Sequence, residues 1–200
     1  MSLRFKNPCS FVLAGSSGVG KTILIFKLID CLHTVCPEIE KVHYFYEIWQ
    51  TKFQEYIGSV HFHHGPPTLE LLEECKNCFV VIDDLMYMDS KFLSKIYCVY
   101  SHHLNFSVLV TVQNLFHANF REISLNTKIV ILFKNCRDEN QIVTFMRQIF
   151  PKNFKSAVEA YKNATSTSFG YLLVDLRPWS DDNQRLRTNI FPGEVNFLYQ

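Results

Sequence analysis

The strongest chemical pattern in the chain is a glycine-rich segment near its start. Residues 15–22 read GSSGVGKT and match G-x-x-x-x-G-K-[ST] in full. In such a segment backbone N–H groups converge on phosphates, the lysine reaches the β- and γ-phosphates, and the last hydroxyl binds Mg²⁺. Since an apolar run precedes it and a helical pattern follows, we predict a loop that binds ATP. The loop consists of Gly15, Ser16, Ser17, Gly18, Val19, Gly20, Lys21 and Thr22.

Two adjacent carboxylates form the second candidate group. Asp83 and Asp84 directly follow the apolar run FVVI. Asp83 is expected to hold the Mg²⁺ that Thr22 also contacts, and Asp84 to polarise the water that attacks the γ-phosphate. A solvated turn is the alternative interpretation of two acids after a strand. The complete loop motif in the same chain favours the catalytic interpretation.

Polar and basic residues after later strands are candidates for completing the site. Gln113 follows the apolar run VLVTV, and sheets of this class bind ligands at the carboxyl ends of their strands. It is therefore either a contact of the γ-phosphate or an ordinary polar strand end. Hydrolysis also requires a positive charge on the γ-phosphate in the transition state. Arg137 is the favoured arginine and Arg121 the second candidate, with a plain surface position open for both.

Apolar runs alternate with helical patterns along the whole chain, which favours the α/β class. The prediction is a mainly parallel central sheet flanked by helices on both faces. We expect strands at residues 9–14, 41–46, 60–63, 79–82, 107–112, 128–133, 171–175 and 185–191, the last as an edge strand.

The remaining segments predict the helices that cover this sheet. Thr68, Asp89 and Asp138 are expected N-caps, because short oxygen-bearing side chains accept hydrogen bonds from the first turn of a helix. Residues 113–126 are expected to be irregular. Helical patterns cover residues 21–33, 50–56, 69–75, 90–102, 139–150 and 153–163.

Length and composition limit the possibilities. With 200 residues, 48% of them apolar, the chain suits one domain over 1–200. The 20 basic and 19 acidic residues give no overall charge that would predict a nucleic-acid partner, so any DNA contact must be local.

Seven cysteines without a signal peptide indicate free thiols inside a cell. No apolar run approaches the roughly 18 residues needed to span a bilayer, so we expect a soluble protein without a membrane partner.

Cysteine and histidine spacing raises the question of a metal. Cys75 and Cys78 form one C-x-x-C, but no second pair stands at a ligand spacing, so buried thiols are favoured over zinc. His61, His63 and His64 could chelate a metal. A short strand before a proline turn is the simpler interpretation of these histidines.

Six segments together resemble the FtsK/HerA-type genome-packaging ATPases. The resemblance is closest to those of Polinton (Maverick) elements and adintoviruses, and more distant to the poxviral packaging ATPase. It covers nearly the whole chain, and VQNLFH and LFKNCRD are more specific than the loop motif. The segments are KNPCSFVLAGSSGVGKT, YFYEIWQ, FVVIDDLM, SHHLNFSVLVTVQNLFH, ISLNTKIVILFKNCRDENQI and FGYLLVDLRPWSDDNQRLRTNIFPGE.

The resemblance implies an ATP-driven motor that works as a homo-oligomeric ring and moves double-stranded DNA into a capsid. Capsid or portal proteins would be its partners, and the host nucleus, the cytoplasm or the virion its location. It assigns Lys21 and Thr22 to the Walker A motif, Asp83 and Asp84 to Walker B, and Gln113 to a polar sensor. It also implies a P-loop NTPase sheet of the ASCE type, in which one strand lies between the Walker A and Walker B strands.

One residue departs from the wider superfamily, and two other functions stay open. The second Walker B acid is Asp84, where many relatives carry Glu, so its shorter side chain must reach water differently. A nucleoside or nucleotide kinase usually needs a basic lid, and only the RLR of residues 185–187 approaches one. A domesticated or regulatory protein could bind ATP without turnover, but the intact motifs argue against decay of the site.

Overall fold

A nine-stranded sheet organises the protein, as seen in a computed structural model that describes residues 4–85, 87–113, 115, 121–137 and 139–199. The apolar runs of the sequence form its central strands, whose residues are buried on both faces. The strands are β1 (Ser10–Ala14), β2 (Lys41–Tyr46), β3 (His61–His64), β4 (Cys78–Asp83), β5 (Ser107–Val112), β6 (Ile129–Phe133), β7 (Tyr171–Asp175), β8 (Leu186–Thr188) and β9 (Phe197–Tyr199).

The strand order is β3-β2-β4-β5-β1-β6-β7-β8-β9. Neighbours from β3 to β6 pair in parallel, whereas β7, β8 and β9 are antiparallel additions. Strand β5 therefore lies between β1 and β4, which confirms the expected inserted strand. Because β1, β4 and β5 are parallel, the segments that follow them all emerge at one edge of the sheet.

Helices cover both faces of this sheet, as predicted. They are α1 (Lys21–Asp30), α2 (Leu32–Val35), α3 (Leu69–Glu73), α4 (Ser90–Lys95), α5 (Ser101–His103), α6 (Arg121–Asn126), α7 (Glu139–Ile149) and α8 (Phe154–Ala164). A π-helical turn at Ile96–Tyr100 joins α4 to α5, and 3₁₀ turns occupy Thr51–Tyr56 and Asp182–Gln184. None of the helices in the described ranges has the length and apolarity that a membrane crossing requires.

Two of the three expected N-caps are confirmed. The hydroxyl of Thr68 accepts a hydrogen bond from the Leu71 amide at 3.4 Å, and the Asp89 carboxylate accepts one from Lys91 at 3.2 Å. Both satisfy N–H groups that a helix start leaves without an intrahelical partner. The third predicted cap, Asp138, lies outside the described residues.

Three local predictions differ from the structure. The segment expected to end in an edge strand contributes β8, which is internal, because the chain turns back through residues 189–196 and adds β9 beyond it. The stretch expected to be irregular contains α6, a six-residue helix too short for its pattern to show a helical period. The first helix ends at Asp30, three residues earlier than predicted, and α2 follows as a separate turn.

Alternation along the strands divides the core into two layers. On one face Val12, Val80 and Val108 belong to a cluster that includes buried residues of α7 and α8. On the other face Phe11 and Leu13 belong to a cluster that includes the apolar side of α1 and α2. This sandwich holds the carboxyl ends of β1, β4 and β5 rigidly next to the start of α1.

Candidate active site

The glycine-rich loop lies between β1 and α1, where the motif placed it. Two glycines are required by the geometry. Gly20 has φ of 104°, and a Cβ there would lie 2.8 Å from Cδ1 of Phe169. A Cβ on Gly15 would lie 2.8 Å from Cβ of Phe133. Larger residues would therefore push the loop away from the helix start, where backbone N–H groups and the helix dipole favour anions.

Lys21 is buried at the base of the loop. Its ammonium group donates hydrogen bonds to the carbonyl oxygens of Gly15 at 2.7 Å and Ser16 at 2.9 Å. Burial lowers the pKa of Lys21, and the negative charges of Asp84 and Asp83 oppose that shift. A lysine ammonium has three N–H donors, and the described residues accept two of them. The group is thus held inside the loop with capacity for an anionic acceptor.

Asp83 ends β4 as a buried carboxylate whose direct partners are neutral. Its Oδ2 accepts a hydrogen bond from the Tyr44 hydroxyl at 2.6 Å, and its Oδ1 accepts one from the Thr111 hydroxyl at 2.8 Å. Burial raises the pKa of Asp83, and the two hydroxyl hydrogen bonds only partly offset this. A cation in contact with this carboxylate would offset the remaining cost of its charge.

Asp84 turns away from the strand and is exposed. Its backbone has φ of 56°, in the left-handed region that aspartate and asparagine tolerate better than most residues. Its amide donates to the Thr111 hydroxyl at 2.9 Å, so one threonine side chain contacts both acids. The Nε2 of Gln113 lies 3.4 Å from Oδ1 of Asp84. The structure thus brings together two residues that the sequence proposed separately.

One cleft of about 270 Å³ contains most of the predicted site. Its wall includes Lys21, Thr22, Asp83 and Asp84. A neighbouring cavity adds Glu47 beside the same two aspartates. The loop, the helix start and the end of β4 therefore form a single polar depression, which suits a phosphate chain.

Sequence reasoning missed four residues of this site. Tyr44 and Thr111 lie inside apolar strands, where their only sequence signal was a place in two of the resembling segments. The pairing of β2, β4 and β5 brings them to Asp83. Gln50 and Phe169 line the cleft from other segments. Phe169 has φ of 61° and is exposed beside Gly20, and the only sequence signal for it was its place in a resembling segment.

Of the two arginine candidates, the structure describes the side chain of Arg137 only. Arg137 is exposed on the connection between β6 and α7, and its amide donates to the Asn135 side chain at 3.1 Å. It is not among the described residues that line the cleft. The side chain of Arg121 lies outside the described part of the chain.

The donor set fits ATP with magnesium. Thr22 and Asp83 offer a hydroxyl and a carboxylate oxygen in one cleft, and hard oxygen ligands of this kind suit Mg²⁺. Asp83 is also the buried carboxylate whose partners carry no charge. Two observations therefore support a magnesium site here: the oxygen ligands of Thr22 and Asp83, and the burial of the Asp83 carboxylate.

Comparison with known proteins identifies the fold. No family model matches the sequence, and no curated protein matches it. Solved structures do match. The genome packaging NTPase B204 of Sulfolobus turreted icosahedral virus 2, in complex with ATP-gammaS, is 14% identical with a TM-score of 0.57, and the match covers 96% of this chain and 97% of that one.

Two further structures extend this similarity. B204 of Sulfolobus turreted icosahedral virus, described as a DNA-packaging ATPase, is 13% identical with a TM-score of 0.60, over 97% of this chain and 98% of that one. A KaiC-like protein of Pyrococcus horikoshii is 11% identical with a TM-score of 0.50, over 96% and 90% of the two chains. At such identities the similarity establishes the P-loop NTPase fold.

Proposed function

We propose that this protein is an ATP-hydrolysing motor that moves double-stranded viral DNA into a capsid as a homo-oligomeric ring. The observation that carries the proposal is the contact of Gln113 with Asp84, an exposed acid that lines the same cleft as Lys21. A loop that only bound nucleotide would need no second acid with an amide beside it. Water activation requires a base held in position, and the amide of Gln113 can hold the Asp84 carboxylate.

Two further observations support the packaging role. The segments that resemble FtsK/HerA-type packaging ATPases include VQNLFH, which begins at Val112 and contains Gln113. The solved structures with the same fold include packaging NTPases matched over nearly the full length of both chains. Motif and fold comparisons therefore lead to the same class of activity.

The loop residues have distinct roles in this proposal. Lys21 exchanges its hydrogen bonds to the Gly15 and Ser16 carbonyls for oxygens of the β- and γ-phosphates. Thr22 and Asp83 would hold magnesium, which would neutralise charge on the phosphates. Tyr44 and Thr111 keep the Asp83 carboxylate oriented towards the cleft through their two hydrogen bonds.

Asp84 is the residue that acts on water. Its exposed carboxylate orients the attacking water and accepts its proton, and Gln113 fixes the carboxylate through the amide contact. Because its backbone is left-handed, Asp84 projects away from β4 and towards solvent, where water enters. This geometry gives the shorter acid a route to water.

Arg137 is proposed to act in trans. Arg137 is exposed and is not among the described lining residues of the cleft, which suits a residue that reaches the nucleotide of a neighbouring subunit. Such an arginine contributes about 10³- to 10⁵-fold in rate. A ring then becomes necessary for fast hydrolysis, and DNA in its channel and capsid or portal proteins would be its other partners.

The first experiment is steady-state ATP hydrolysis with and without long double-stranded DNA, together with the mass of the protein in solution. We expect a multimeric ring whose turnover rises with DNA and falls with salt, because phosphate contacts weaken as salt increases. A monomer with DNA-independent turnover would favour a nucleotide kinase instead. No turnover under any condition would favour a protein that only binds ATP.

The substitution Asp84→Asn tests the water-activating role. Asparagine keeps the size and the tolerance of the left-handed backbone, so ATP binding should persist while turnover falls by about 10² to 10⁴. Lys21→Ala should abolish binding itself. The matched control is Asp89→Asn, which retains a capping side chain on α4 and should leave turnover unchanged. Turnover at the normal rate in Asp84→Asn would contradict the assignment.

A mixing experiment tests Arg137. Rings assembled from Arg137→Ala and Lys21→Ala subunits should recover part of the activity that each variant lacks alone. In such rings an intact arginine can meet an intact loop on a neighbour. If rings form and no mixing ratio restores hydrolysis, the trans role is wrong.

A further inference from the structure

A second cluster of chemically active side chains lies on the opposite face of the sheet from the cleft. It consists of Cys75 and Cys78 of the C-x-x-C together with His43 of β2. The ligand atoms of these three residues all lie within 4.8 Å of one another. Among the described residues, no other group of three histidine, cysteine or acidic side chains brings its ligand atoms this close.

The strand register explains why these residues meet. In the pairing of β2 with β4, Lys41 is opposite Cys78 and His43 is opposite Val80. Side chains two residues apart along a strand share a face, so His43 and Cys78 point the same way. Cys75 joins them from the turn after α3, where its thiol donates to the Leu71 carbonyl at 3.1 Å. His43 lies far from the C-x-x-C in the sequence, so no local spacing motif could predict this arrangement.

All three side chains of the cluster are buried. Cys75 is 0% exposed, Cys78 1% and His43 9%. Free cysteines are often buried as small apolar residues, but here both thiols lie against a buried imidazole. The polar groups instead converge within a packed layer of Val80, Leu72 and their neighbours.

A fourth residue orients the histidine. Nδ1 of His43 lies 3.1 Å from Nε2 of His63 on the adjacent strand β3. The two rings are nearly parallel, with an interplanar angle of 3°. Histidines that bind metals almost always use their other ring nitrogen in a hydrogen bond that fixes the ring. His63 occupies that place here.

We propose that Cys75, Cys78 and His43 form a zinc site, with His63 as the residue that positions His43. Thiolates with imidazole are the ligands that zinc prefers in structural sites. Bonds of about 2.3 Å to sulfur and 2.0 Å to nitrogen place tetrahedral ligand atoms roughly 3.5 to 3.8 Å apart. The three atoms are within about an ångström of that arrangement, so small rotations of the side chains close the site.

The site would join three elements at one margin of the sheet. Cys75 follows α3, Cys78 begins β4 and His43 lies in β2, beside the edge strand β3. Zinc bound there would stabilise this end of the sheet, since metal binding adds to the free energy of folding when only the folded chain presents the site. It has no part in the nucleotide chemistry, which occurs on the other face.

The test measures zinc per chain in the full protein, purified without a histidine tag and with a reductant present. We expect about one zinc per chain after gel filtration, held by the three side chains with its fourth position open to water. The double variant Cys75→Ser/Cys78→Ser should retain almost none. The matched control Cys98→Ser/Cys136→Ser changes two exposed cysteines outside the cluster and should keep the metal.

A spectroscopic measurement separates metal binding from folding. Metal-stripped wild-type protein titrated with Co²⁺ should develop a thiolate-to-cobalt charge-transfer band, which the oxygen ligands of the magnesium site cannot produce. Added zinc should displace the cobalt and remove this band. The Tm of the zinc-bound protein should exceed that of the metal-stripped protein by about 5 °C or more. His63→Gln should keep the band and weaken binding about 10- to 100-fold.

Two outcomes would overturn the proposal. One is wild-type protein that forms no thiolate-to-cobalt band although both thiols of the C-x-x-C titrate as free. The other is a double cysteine variant that is folded and binds zinc as tightly as the wild type. Either result would return these cysteines to the role of buried thiols.

Discussion

Two buried aspartates at opposite edges of the sheet have opposite electrostatic environments. Asp83 ends β4 at the edge that carries the loop, and its direct partners are the hydroxyls of Tyr44 and Thr111. Asp175 ends β7 opposite the first residue of β6, and two arginines neutralise it. The pKa of Asp83 is raised because it is buried. The contrast separates a buried carboxylate without a cationic partner in direct contact from one that two arginines neutralise.

The environment of Asp175 is fully compensated. Arg177 donates to both of its carboxylate oxygens, at 2.9 and 2.6 Å, and Arg187 donates to Oδ2 at 2.6 Å. Burial alone raises the pKa of Asp175, but the hydrogen bonds and charge of Arg177 outweigh burial and lower it overall. The triad joins β7, β8 and the segment after β7. It is a structural ion cluster with no capacity left for a cation.

The largest expected effect comes from breaking the triad. Asp175→Asn leaves Arg187 buried without its counter-charge, so the free energy of unfolding should fall by about 3 to 5 kcal/mol. Denaturant titration measures this loss. The control Asp182→Asn removes only the surface ion pair with Arg185 and should change stability little. Equal losses in the two variants would mean that the buried triad contributes no more to stability than a surface ion pair.

The corresponding change at Asp83 should not lower the free energy of unfolding. Asp83→Asn removes a buried charge without a cationic partner in direct contact, so the free energy of unfolding should stay equal or rise by about 1 kcal/mol. Magnesium-dependent ATP hydrolysis should be lost at the same time. Denaturant titration and turnover measured on one preparation give both values. A loss of stability as large as that in Asp175→Asn would refute the distinction between the two sites.

The smallest effect is a difference in acid response. Folding raises the pKa of Asp83, so the destabilisation by its charge disappears as the pH falls towards the ordinary aspartate value of 3.8. The stability gap between wild type and Asp83→Asn should therefore close above that pH. Folding lowers the pKa of Asp175, so its contribution persists at 3.8 and is lost only as the pH falls further. Unfolding measured from pH 7 downwards in the three proteins tests this order.

Local patterns were enough for most of the fold. Strands β2, β5 and β7 have the predicted bounds, because runs of buried apolar residues are continuous in sequence. The caps at Thr68 and Asp89 were also predictable, since a cap depends on the next three residues. The antiparallel end of the sheet was less predictable from the sequence. There β9 pairs with β8 through a turn whose residues carry no strong signal.

The candidate site was predictable in its parts and not in its assembly. The motif gave Lys21 and Thr22, and the strand ends gave Asp83, Asp84 and Gln113 as separate candidates. Lys21, Thr22, Asp83 and Asp84 line one cleft, and Gln113 contacts Asp84 from beside it. This assembly depends on β5 lying beside β4, and periodicity cannot predict strand order. The action of Arg137 on a neighbouring nucleotide remains a prediction.

The sequence by itself determined the glycine-rich loop, the two acids at the end of the fourth strand and the alternation of strands and helices. Each of these depends on neighbouring residues and on periods of two or 3.6. Only the tertiary structure decided that Tyr44 and Thr111 hold Asp83, that arginines hold Asp175 and that His43 lies against Cys75 and Cys78. The physical reason is that strand order and register bring together side chains from distant parts of the chain, and no local pattern encodes either one.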